Sequence, residues 1–256
     1  MHLYQQYLKN NACYIANAKH TVKGIMVHST GANNPWLRTY VQPDDGRLGK
    51  NPYGNAWNVY KPGDRFVCVH AFIGKDKDGN ICTYQTLPWD IKSWHSGTGT
   101  TGKQAWNMGY IGFEICEDGL TDTTYFNAVY KEAVELCAFL CKRYNLDPLA
   151  DGVIITHAEG YKRGIASNHA DVLHWFPRHG KTMDDFRNDV AKQLSNNESN
   201  TATAQVVGDD TPHSWAKDAV EYMRSRGVLI GDENGLHLGK YTTREEFICF
   251  LHRLLK

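Results

Sequence analysis

The sequence predicts an α/β domain, a mixed central sheet flanked by helices, followed by a small all-helical C-terminal domain. Three observations carry this expectation. Apolar runs of strand length alternate with two stretches of helical period over residues 1–194. A segment of mostly small and polar residues, SNNESNTATAQVVGDDT at 195–211, then reads as a flexible linker. Residues 212–256 carry helical signals and turns only.

Each element has its own signal. Residues 23–28 (KGIMVH) form an apolar run opening into Ser29, Thr30 and Gly31, a buried strand that ends in a loop. Residues 67–73 are a second strand. The turn DKDGN at 76–80 returns the chain along 81–85 as a hairpin. YIGFEIC at 110–116 and VIITH at 153–157 are two further runs, the last again closing on histidine. Residues 122–144 set apolar side chains at 126, 129, 133, 136, 137, 140, 141 and 144, one helical face. Asp122 or Thr123 caps that helix, and Asp147-Pro148 follows its end. A second helix begins at Thr182, with Asp185 three residues on, and buries Met183, Phe186, Val190 and Leu194. In the tail, 213–226 reads as an amphipathic helix with Trp215, Ala219 and Tyr222 or Met223 on one face. The turn-rich stretch 227–235 follows. Thr242 or Thr243 then caps a helix running to Leu255.

Composition narrows the function. Lysine plus arginine number 28 and aspartate plus glutamate 28, so no global field draws the chain to nucleic acid or an anionic membrane. No apolar run approaches the roughly 18 residues of a membrane span. The N-terminus, MHLYQQYLKNNACYIA, lacks the basic head and apolar stretch of a signal peptide. The seven cysteines include no CxxC pair, and they read as small core residues of a chain made in a reducing cytoplasm.

The 12 histidines carry most of the functional signal. His28 and His157 each close an apolar run. If their strands lie side by side, both imidazoles emerge at one sheet edge, where loops on a rigid scaffold gather site residues. The cluster SNHADVLHW at 167–175 supplies a third polar group. His28, His157 and Asp171 would give two neutral ligands and one anion, a donor set zinc favours, with a position left for water. His169 and His174 compete with Asp171, and spacing alone does not choose among them. Glu114, inside the apolar run at 110–116, is either an ion-paired carboxylate or a general base beside a metal site. His95 in SWHSG and His70 are structural or substrate-contacting. Trp57, Trp94, Trp106 and Trp175 lie near these loops and either pack or stack on sugar rings.

IMVHSTG around His28, VHAFIGKDKDGNI around His70, SWHSG around His95, IGFEIC around Glu114 and ITHAEG around His157 stand in the order found in one family. Over residues 20–190 the chain resembles the type 2 N-acetylmuramoyl-L-alanine amidases. These include phage endolysins, cell-wall amidases and animal peptidoglycan recognition proteins. The resemblance implies one Zn2+ ion and hydrolysis of the amide joining N-acetylmuramic acid to L-alanine in bacterial peptidoglycan. It implies His28 and His157 as zinc ligands and Glu114 as the catalytic glutamate. The family's last motif, Lys-x-Asp-Pro or Lys-x-Cys-Pro, is met here by His169-Ala170-Asp171-Val172. Asp171 is therefore the expected third ligand, and His169 takes the lysine position as oxyanion donor. His95, His70 and Trp94 are the expected substrate contacts.

The tail is similar to one S-layer homology motif, which implies binding of secondary cell-wall polysaccharide. A dimerisation element making a homodimer is the alternative. Together these features suggest a phage or prophage endolysin, made in the host cytoplasm without a signal peptide and acting on the wall. The alternatives are a peptidoglycan-binding protein without activity and a cytosolic muropeptide-recycling amidase.

Overall fold

A computed structural model of the chain describes residues 1–42, 45–202 and 217–230, together with 248, 249, 251 and 252. Two compact units result, Met1–Asn196 and Asn197–Lys256.

The first unit is a six-stranded sheet with helices on its faces. Its strands are β1 (Leu3–Gln5), β2 (Gly24–Ser29), β3 (Ala71–Lys75), β4 (Ile81–Gln85), β5 (Tyr110–Ile115) and β6 (Ile154–Thr156). They lie in the order β1-β4-β3-β5-β2-β6. The sheet is mixed: β3 and β4 pair antiparallel, whereas β3, β5, β2 and β6 all run parallel. Central β2 is buried at every position, as expected of a parallel strand covered on both faces. The β3–β4 turn forms because the Asp76 carboxylate accepts the backbone N–H groups of Asp78 and Asn80, each at 2.9 Å.

The helices are α1 (Ala12–Ala16), α2 (Arg38–Val41), α3 (Asp45–Leu48), α4 (Thr123–Tyr144), α5 (His157–Lys162), α6 (Met183–Ala202) and, in the second unit, α7 (Lys217–Ser225). Asp122 caps α4 by accepting the Tyr125 N–H at 3.0 Å. The face of α4 marked by Phe126, Val129, Ala133, Leu136, Cys137, Leu140 and Cys141 is buried in the main core with Ile25, Val27, Ile111, Phe113 and Ile115. Strand alternation then fixes where the polar residues go. Ile25 and Val27 face α4, so His28 faces the other way. Phe113 and Ile115 face α4, so Glu114 also projects from the opposite face. β2 and β5 pair with His28 directly beside Glu114. The two side chains therefore leave the sheet as neighbours, near the carboxyl ends of the parallel strands, where open α/β sheets bind ligands.

Some elements differ from the sequence expectation. The second strand starts at Ala71 rather than 67 and continues to Lys75. β1 and α1 gave no sequence signal, being three and five residues long. Helix α6 runs on to Ala202, through the first residues of the segment expected as a linker. A helix already nucleated at Thr182–Asp185 adds residues at little further cost, even poor helix formers. Residues 203–211 lie outside the described residues.

In the second unit, α7 falls within the helix expected at 213–226. It ends in a Schellman motif: Gly227 has φ +65°, its N–H bonds to the Arg224 carbonyl at 2.9 Å, and the Val228 N–H bonds to the Met223 carbonyl at 3.0 Å. Of the helix expected from Thr242, residues 248, 249, 251 and 252 are helical, and the remainder lies outside the described residues. Among the described residues, no helix is long and apolar enough to cross a membrane. None of the seven cysteines forms a disulfide; six are buried in the first unit, and Cys249 is exposed.

Candidate metal centre and its cleft

Three segments deliver one side chain each to a single point. His28 leaves the end of β2. His157 is the first residue of α5, whose start is fixed by a reciprocal capping box between Thr156 and Glu159. Arg187 of α6 locks that corner. Its guanidinium reaches both oxygens of Glu159 at 2.6 Å and donates from Nε to the Ile154 carbonyl at 2.9 Å. Asp171 opens a short 3-10 turn with a φ of +45°, a left-handed conformation aspartate tolerates better than most residues.

The three donor atoms form a nearly equilateral triangle. His28 Nδ1 and His157 Nδ1 lie 3.2 Å apart, and Asp171 Oδ2 lies 3.2 Å from the first and 3.1 Å from the second. Zinc bonds of about 2.0–2.1 Å in tetrahedral directions require ligand atoms about 3.3 Å apart. The triangle therefore has the size of one face of a zinc tetrahedron, and its members are the imidazoles and carboxylate that zinc prefers.

Hydrogen bonds behind the ligands set their tautomers. His95 Nε2–H donates to the Tyr110 carbonyl at 3.2 Å, which leaves His95 Nδ1 as an acceptor. His28 Nε2–H donates to that acceptor at 2.9 Å, so the bare lone pair of His28 is on Nδ1, inside the triangle. His157 repeats the pattern: its Nε2 lies 3.1 Å from Ser167 Oγ, again leaving Nδ1 inward. Gly112 makes the seat for His95, because a Cβ there would lie 2.4 Å from His95 Cγ.

The electrostatics agree. Burial holds His28 below its ordinary pKa, partly opposed by Asp171. Burial, with His28 and His70 adding to it, holds His95 well below. Burial alone would push Asp171 up, but the imidazoles of His157 and His28 beside it outweigh burial and keep the carboxyl well below the usual range. Glu114 goes the other way. Burial raises it well above the carboxylate range, and the negative charges of Asp171 and Glu117 add to this. Among the described residues its Oε2 is buried without a hydrogen-bond partner. An ion-paired structural carboxylate would have a cation there, and among the described residues this one has none.

These groups open onto a cleft of about 550 Å³. His28, His157, Asp171, Glu114, His95, His169 and Trp94 all line it. His169 bonds through Nδ1 to Ser167 Oγ at 3.1 Å and packs its ring 4.5 Å from that of His157. Of the expected tryptophans, Trp57 and Trp106 join Trp94 on the wall, whereas Trp175 is fully buried against Tyr125 and Phe126 of α4.

One expectation, His70 as a substrate contact, is overturned. His70 does not reach the cleft. It is completely buried, its Nε2–H donates to the Ile91 carbonyl at 2.8 Å, and its Nδ1 accepts from Gly112 N–H and Ser93 Oγ. Burial lowers its pKa to about 3, so it stays neutral and ties loop 91–93 to β5. His174 is not in the triangle either, since its Nε2 pairs with Glu117 at 3.0 Å.

Arg65 is a cleft residue that sequence reasoning missed. Among the described residues it is the only lysine or arginine lining the cleft, and its guanidinium has no hydrogen-bond or ion-pair partner. A lone arginine in a polar loop gives no sequence signal.

The family described as N-acetylmuramoyl-L-alanine amidase matches residues 18–177. Among solved structures, the chain is similar to the Staphylococcus aureus hydrolase AmiA in complex with its ligand, at 20% identity, 75% coverage of this chain, 82% of that one and a TM-score of 0.48. It is similar to the catalytic domain of XlyA, at 22% identity, 74% and 99% coverage and a TM-score of 0.46. It is also similar to a mutant endolysin from Bacillus subtilis, at 21% identity, 74% and 99% coverage and a TM-score of 0.47. No curated protein matches.

Proposed function

Because the chain belongs to the N-acetylmuramoyl-L-alanine amidase family, and so to the peptidoglycan amidases, we propose that it is a zinc hydrolase cutting the amide between the lactyl group of N-acetylmuramic acid and L-alanine. The observation that carries the zinc reading is the triangle of His28 Nδ1, His157 Nδ1 and Asp171 Oδ2. These residues would hold the ion. When bound, it would acidify a water and polarise the scissile carbonyl.

The chain's own groups do the rest. Glu114 takes the proton of the attacking water on the oxygen that has no partner, and later delivers it to the leaving amine of L-alanine. His169 donates a hydrogen bond to the developing oxyanion. His95 keeps His28 in the ligating tautomer. Arg65 supplies positive charge for a carboxylate of the stem peptide. Trp94 packs against the sugar. A protein that only recognises peptidoglycan has no use for a buried, unpaired glutamate beside a ligand triad, which favours the enzyme.

The resemblance of the tail to one S-layer homology motif supports wall anchoring by the second unit, and with it a lytic, endolysin-like role at the cell wall. The test is digestion of purified Gram-positive walls. Free L-alanine amino groups should appear without new reducing sugar ends, and chelation should stop the reaction. New reducing ends, or activity that survives chelation, would overturn the reading.

A further inference from the structure

The segment between α3 and β3 exposes large apolar side chains beside the cleft. Tyr53, Val59, Tyr60 and Phe66 are all exposed within fourteen residues. Leaving such surface in water is unfavourable. The rings are also ordered. Tyr60 meets Phe66 edge to face at 5.7 Å, Phe66 meets Trp94 at 5.7 Å, and Trp94 meets Trp106 at 6.2 Å. Phe66, Trp94 and Trp106 line the cleft, but Tyr60 does not, so this file of rings leads out of the catalytic centre onto the surface. Lys61 Nζ sits 4.2 Å from the Phe66 ring centroid and fixes one end of the file.

We propose that Tyr60 and Phe66 form a subsite for the glycan strand of polymeric wall, continuing the cleft beyond the muramyl residue whose amide is cut. The proposal rests on the amidase reading above. In the wall that muramyl residue is joined through its ring to further sugars, which must leave the cleft along one of its walls. A pyranose offers an apolar C–H face and a hydroxyl rim, and aromatic rings in a partly wet groove suit both. The file is continuous with the cleft. Lys61 and Arg65 add positive charge that complements the carboxylates carried by the same polymer.

The test compares wild type with Tyr60→Ala, an exposed substitution outside the cleft, on two substrates. One is a single disaccharide-peptide; the other is a glycan strand several disaccharides long. The ratio of kcat/KM, polymer over disaccharide-peptide, should fall about tenfold, mainly through KM. An unchanged ratio overturns the subsite and leaves the amidase reading intact. Peptide-free glycan oligomers, titrated by tryptophan fluorescence, separate the two claims. Wild type that cuts neither substrate but binds the oligomers, with binding weakened in Tyr60→Ala, sinks the amidase reading and keeps the subsite. Absence of both cutting and binding overturns both.

Discussion

His28 Nε2 lies 2.9 Å from His95 Nδ1, and this contact decides which nitrogen of His28 faces the ligand triangle. Replacing His95 with alanine removes the acceptor, frees the tautomer and rotates the ring. Metal affinity should fall by about 10- to 100-fold, measured by competition with a chromophoric chelator. An unaltered affinity would show that His95 only fills space.

Arg187 should matter for the fold around His157. Its guanidinium joins the Glu159 carboxylate to the Ile154 carbonyl at the β6–α5 corner. Arg187→Ala should lower stability by about 2 kcal/mol in urea titration. Arg187→Lys should recover little of that, because an ammonium cannot reproduce the planar fork. Full recovery by lysine would reduce the interaction to a point charge.

His169 stands where the family motif carries lysine. If it donates to the oxyanion, His169→Ala should lower kcat by about 100-fold while metal content holds. His169→Lys should restore much of the rate. Metal loss in the alanine variant would instead make His169 a ligand.

The metal-free protein should weaken as pH falls from about 6.5 to 5. Burial is the first cause of the lowered pKa of His20, His28, His70 and His95. Each takes up a proton less readily in the folded chain than in the unfolded chain, which protonates its histidines below about 6.5. The unfolded state therefore binds more protons, and stability drops with falling pH by up to about 1.4 kcal/mol per unit for each such group. Glu114, raised by burial, contributes the opposite sign in this window, but it is one group against four. The check is the urea midpoint of apo protein against pH. A flat or inverted profile would contradict the burial of these histidines as the cause of their lowered pKa.

Much of the fold was legible because the parallel strands are short, apolar and bounded by turns. Hydrophobic spacing located α4 to within one residue, since its buried face repeats over six turns. Helix α6 outran its signal, because SNNES reads as linker and local propensity carries no information about continuation from a formed helix. The candidate ligands were legible for a related reason: His28 and His157 close buried runs, so their polar side chains had to lie at a sheet edge. His70 reads identically in sequence, as a histidine within an apolar run, yet it turns inward. Only the backbone groups of Ile91 and Gly112, distant along the chain, explain why it can. Ser167 acts through His157 and His169, neighbours that one-dimensional spacing does not reveal.

In the proposed centre, His28, His157 and Asp171 would hold a zinc ion through Nδ1, Nδ1 and one carboxylate oxygen. Anomalous diffraction at the zinc edge, from crystals grown with zinc, tests it most directly. A single peak should lie about 2.0–2.2 Å from His28 Nδ1, His157 Nδ1 and Asp171 Oδ2. A triangle without a peak, or a peak bound through Nε2 or by His174, would contradict the account.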